Sequence, residues 1–142
     1  MSGLVTLTKF TEHRAAGALK SWRRLRTQCD EAQHKLSLLK GHAEGYRDVM
    51  SNGLLEGMSA TSIMAHIDFI RQIEAVVVRQ EAEIRNLEKA CGRQWQELVE
   101  ARREKRKYEI LSERAAARDA DAASRRQQAE VDELLQHTVT SL

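Results

Sequence analysis

Small and apolar residues recur at alternating steps of four and three along most of this chain, and no proline interrupts them. A repeat averaging about 3.5 residues keeps one stripe of a helix turned toward a partner helix over many turns. In the first part of the chain it picks out Thr8, Thr11, Ala15, Ala18, Trp22, Leu25, Cys29, Ala32, Leu36, Leu39, Ala43, Tyr46 and Met50. A second register gives Ile63, Ile70, Ile73, Val77, Ile84, Leu87, Cys91, Leu98, Ala101 and Tyr108. His66, Gln80, Gln94 and Lys105 fall in that second stripe as polar layers, which lower stability but fix register. Beyond Tyr108 the stripe thins to Leu111, Ala115, Ala122, Ala129 and Leu135.

Around the junction of the two registers cluster four of the seven glycines, Gly41, Gly45, Gly53 and Gly57, with the turn dipeptide Asn52-Gly53. The expected loop is therefore about residues 51–60. Ser59 or Thr61 is the expected N-cap, because a side-chain oxygen there accepts from unpaired backbone N–H groups. The expected fold is all-α, a single coiled-coil domain over 1–142. Helix 1 covers about 5–50 and helix 2 about 61–138. A short loop between long helices makes them antiparallel neighbours. At 1.5 Å per residue they measure roughly 70 Å and roughly 115 Å, so a C-terminal helix overhangs by about 30 residues. If Met50 sits beside Ile63, Trp22 falls near Cys91 and Leu4 near Glu109.

The composition excludes several function classes. Aromatic residues make up 4% and charged residues 31%, which suits helices that bury a narrow stripe and leave the rest wet. With 23 basic and 21 acidic residues the net charge is +2, without the excess expected of a nucleic-acid binder. The run Ala75-Val76-Val77-Val78 is far short of the ~20 apolar residues that cross a bilayer, and no signal peptide opens the chain. A soluble, cytoplasmic protein is expected. No HExxH, glycine-rich phosphate loop, nucleophile triad or metal spacing occurs, so neither enzyme activity nor a cofactor or metal is expected. Cys29 and Cys91 fall several layers apart in the pairing above, which disfavours a disulfide.

Two other features point to binding. Arg14, Lys20, Arg23, Arg24 and Arg26 run without an acid from His13 to Cys29, and Arg102, Arg103, Lys105, Arg106 and Lys107 surround the single Glu104. The pairing places both at the open end of the hairpin, as a solvated face or as a docking surface for an acidic partner, with nucleic acid a lesser alternative because no aromatic stacking residues are interleaved. At the closed end, Leu39, His42, Tyr46, Phe69, Ile73, Val76 and Gln80 come together, and two of the chain's four Phe and Tyr residues are among them. Interface energy concentrates in such aromatic anchors.

These residues carry a resemblance to a known family. Leu36 and Leu39 lead to Tyr46-Arg47, then Gly57-Met58-Ser59, then His66-Ile67-Asp68-Phe69-Ile70-Arg71-Gln72-Ile73-Glu74-Ala75. Gln80, Trp95-Gln96, Leu111-Ser112-Glu113-Arg114, Gln127-Gln128 and Asp132-Glu133-Leu134 follow in order. The pattern, from about Leu36 to Leu134, resembles the FliJ family, the small coiled-coil component of the flagellar type III export apparatus. The injectisome equivalent shares the hairpin with a fainter version of the pattern. His66 stands where the family usually has an aromatic, and His42 where it often has tyrosine.

The resemblance implies a non-catalytic stalk, similar to that of rotary ATPases and peripherally associated with the inner-membrane export apparatus. Its paired termini would enter the export ATPase hexamer, with Arg14, Arg23, Arg24, Arg102, Arg103 and Arg106 on the docking face. The tip residues Leu39, His42, Tyr46, Phe69, Ile73, Val76 and Gln80 would face the membrane export-gate protein. Export chaperones are further implied partners. Because the stripe is satisfied within one chain, a monomer is expected in isolation. The alternatives are a structural coiled-coil adaptor that self-associates through the C-terminal arm, or an injectisome stalk protein.

Overall fold

The computed structural model describes residues 2–141. Two helices, α1 (Ser2–Leu55) and α2 (Ala60–Thr140), pack against each other as an antiparallel hairpin, with no strand among the described residues. Contacts along the pair group into two compact units, Ala18–Leu98 and Met1–Gly17 with Val99–Leu142.

The connection is tighter than the glycine content suggests. α1 runs on through Asn52-Gly53 to Leu55, so the turn dipeptide is helical and only residues 56–59 are non-helical. Gly57 takes φ +85°, and its N–H donates to the Leu54 carbonyl while the Met58 N–H donates to the Gly53 carbonyl. This pair of bonds is the Schellman ending, which needs a left-handed residue and so a glycine. Met58 folds back over Gly53, where a Cβ would collide with its side chain. Glycine at 53 therefore admits the methionine and does not itself turn the chain. Ser59 caps α2: its hydroxyl accepts from the Ser62 N–H at 3.2 Å, while Thr61 lies inside the helix.

In the Ala18–Leu98 unit the buried stripe of α1 is small, with Ala18, Cys29, Ala32 and Ala43, and it faces the larger Ile70, Ile84 and Leu98 of α2. Small residues uncover the backbone of α1. The Gln80 amide donates to the Ala32 carbonyl at 2.9 Å, and Gln94 reaches the Ala18 carbonyl at 3.4 Å. Gln80 and Gln94 are two heptads apart on α2, and their acceptors are two heptads apart on α1 in the opposite direction. The two polar layers thus pin an antiparallel register. Along one flank a second ladder repeats every heptad: Gln33 with Glu88, Lys40 with Glu81, and Arg47 with Glu74. These pairs are exposed and contribute at most about 1 kcal/mol each. The Ala32 carbonyl keeps its own helix bond if Gln80 is lost. Gln80→Leu is therefore expected to hold or raise the thermal midpoint in a circular-dichroism melt, and a fall of several degrees would show the amide to be essential.

In the other unit, Thr11, Ala15 and Ala101 are buried. The Thr8 hydroxyl donates to the Leu4 carbonyl and accepts from Ser112, 3.0 Å away on α2. Among the described residues no buried side-chain polar atom lacks a partner. Ala115 is the last half-buried residue of α2, and every described residue from 116 to 141 is exposed.

Candidate binding surfaces

Beside the loop, the rings of Tyr46 and Phe69 pack at 4.4 Å between centroids with a 53° tilt. They remain 36% and 40% exposed. Such a pair is worth about 1 kcal/mol beyond its buried area and leaves two aromatic edges facing outward. Leu39, Ile73 and Val76 are half-buried, and His42 is exposed. Gln80 differs from the rest of this set, since it is buried and bonded to Ala32, and any part it takes in tip contacts acts through the register. Next to this cluster, Lys40, Ala43, Glu44, Arg47, Glu74, Val77 and Val78 line an open groove of about 310 Å³. Sequence reasoning missed the most exposed apolar residues here: Leu55 at 86%, with Val49, Leu54, Met64 and Val78. They fall outside the heptad stripe, and only their off-stripe position could have singled them out.

The expected cationic surface divides. Within the Met1–Gly17 and Val99–Leu142 unit, Arg14 pairs with Glu104 across the helices at 2.5 Å. Arg102 and Arg103 are exposed, and Arg106 bridges Glu109 and Glu113 on its own helix. Arg103, Arg106, Lys107 and Arg114 surround Ile110 and Leu111 in an open groove of about 450 Å³. A cationic rim over an apolar floor suits an acidic amphipathic partner. On the arm, Val131, Leu134, Leu135 and Val139 form an exposed stripe at helical spacing. Arg23 and Arg24 are exposed within the Ala18–Leu98 unit.

A third surface was not foreseen. Trp22, Arg26, Cys29, Glu88, Cys91, Gly92 and Trp95 line a groove of about 410 Å³. The tryptophan rings pack at 5.2 Å with a 55° tilt. The expected pairing set Trp22 beside Cys91, whereas here Trp22 meets Trp95, one turn further on. The cysteines, expected to form no disulfide, are both free and line this groove. Helical side chains lean toward their own N-terminus, so on antiparallel helices they lean toward each other, and contacting residues lie offset from those at equal height. Burial pushes the Cys29 thiol up, aided by Glu88, Cys91 and Asp30 and opposed by Arg26.

Among the described residues no cluster of three or more His, Cys, Asp or Glu could hold a metal ion, and no helix is long and apolar enough to cross a membrane. A family model described as "Flagellar FliJ protein" matches residues 1–141. No curated protein and no solved structure matches the chain.

Proposed function

This chain belongs to the flagellar FliJ protein family, a coiled-coil component of the flagellar export apparatus, and from that premise we propose that it serves as the apparatus's stalk. It acts by binding and not by catalysis. The arm from 116 to 141, with Arg14, Arg102, Arg103 and Arg106 near its base and Arg23 and Arg24 further along α1, docks on the export ATPase hexamer. The hairpin tip, with Leu39, His42, Tyr46, Phe69, Ile73 and Val76, docks on the membrane export-gate protein, with Gln80 holding the register beneath it. The protein works at the cytoplasmic side of the inner membrane, is monomeric before docking, and escorts export chaperones. One observation carries this reading: a continuous helix of 25 exposed residues, 116–140, with an apolar stripe, beginning beside a cationic groove. A helical face of that kind is built to be covered by another protein.

The test is to add the purified chain to the export ATPase of its own organism. The ATPase rate rises, and reversing Arg102, Arg103 and Arg106 to glutamate weakens the effect about tenfold, as loss of steering charges does. No binding at micromolar concentration would overturn the reading. The apolar residues Val131, Leu134, Leu135 and Val139 also favour a second reading, an adaptor that self-associates through the arm. It predicts a concentration-dependent mass that disappears when residues after Glu109 are removed.

A further inference from the structure

Neither the stalk role nor the hairpin packing requires a cysteine at 29 or at 91, yet one from each helix lines the same groove. We propose that Cys29 and Cys91 form a dithiol site that a low-molecular-weight disulfide oxidises to a covalent staple between α1 and α2.

Three observations support this. Both thiols are free, and they belong to opposite helices that face each other in the Ala18–Leu98 unit. They line one groove of about 410 Å³ that is open to solvent, so a small oxidant has access. Cys29 and Ala32 are both small and buried, and Gly92 on the facing helix carries no side chain, so few side-chain atoms stand between the two helices here. Close approach is the geometric requirement for a disulfide.

The sulfurs differ in a way that orders the reaction. Cys91 is half-buried and Cys29 is buried. The Cys91 thiolate attacks the oxidant RSSR, forming a mixed disulfide and releasing one RS⁻. The Cys29 thiolate then attacks the Cys91 sulfur, forming the internal S–S bond and releasing the second RS⁻. Two electrons pass from the two thiols to RSSR, and the two thiol protons leave on two RSH. Added dithiothreitol reverses the exchange.

The test uses the full reduced chain and oxidised glutathione. The expected product is a monomer two hydrogens lighter, without a glutathione adduct, whose peptide map links Cys29 to Cys91. Its thermal midpoint lies higher by roughly 10 °C, because the staple restricts the unfolded chain, and dithiothreitol restores the original value. Quenching by the adjacent disulfide dims the Trp22 and Trp95 fluorescence. Cys29→Ala, which keeps a small buried side chain, stops the reaction at a stable glutathione adduct on Cys91. Cys91→Ser leaves Cys29 largely unreacted. Adducts on both cysteines of the original chain, or disulfides only between chains, would overturn the proposal.

Discussion

Leu98→Ala is expected to lower the stability of the hairpin more than any other single truncation to alanine. Leu98 is 1% exposed and is the largest apolar side chain closed off completely. Its removal forfeits the transfer free energy of the lost carbons and leaves a cavity that two stiff helices cannot collapse to fill. Such sites lose about 2–5 kcal/mol. For a chain of this size that shifts the thermal midpoint down by roughly 10 °C, read from the loss of helical circular dichroism. Leu134→Ala is the matched control, because Leu134 is 66% exposed on the arm. It should move the midpoint by no more than about 1 °C, since surface substitutions stay within about 0.5 kcal/mol. Equal shifts for the two variants would mean that Leu98 does not anchor the packing.

At the other extreme of the stripe, Tyr46→Ala and Phe69→Ala are each expected to weaken binding to the export-gate protein by about 30-fold, the effect of losing an aromatic anchor worth about 2 kcal/mol. Each also breaks the tilted ring pair, but the rings are more than a third exposed, so the fold should lose only about 1 kcal/mol. Affinity and stability therefore separate: a large rise in Kd is expected with a small change in thermal midpoint. Leu55→Ala sharpens the measurement, because so exposed a side chain supports little of the fold. A tenfold loss of gate affinity at Leu55 with unchanged helicity would extend the tip surface onto the loop. Unaltered gate binding in both aromatic variants would remove the tip assignment.

The heptad stripe was legible because burial in a helix pair repeats with the helix itself. Thr11, Ala15, Ala18, Cys29, Ala32 and Ala43 all lie on the predicted seam and are all buried. Gln80, a polar layer of the expected stripe, is buried at that place with its bond made across the helices. The loop was legible only in outline. Glycine marks places where a side chain is absent, and Gly53 is absent of one for packing under Met58, not for turning. Only Gly57 takes the left-handed conformation. The offset of Trp22 to Trp95 could not be read from equal heights on two helices, because it arises from the lean of the side chains. The exposed Leu55 and Met64 carry no periodic signal at all, since they lie off the stripe and the described residues cover little of either.

The arm has a thermodynamic consequence of its own. An isolated helix of 25 residues in water must first pay for a nucleus, but residues 116–140 continue a helix that is already formed and packed below Ala115. They need only propagation, which is close to neutral for their alanine-rich sequence. Docking of the arm therefore involves no folding step. Its association rate should not saturate with partner concentration as a folding-limited reaction would. Its heat-capacity change should reflect only the apolar area that Val131, Leu134, Leu135 and Val139 lose to the partner, and so stay well below that of a segment that folds as it binds.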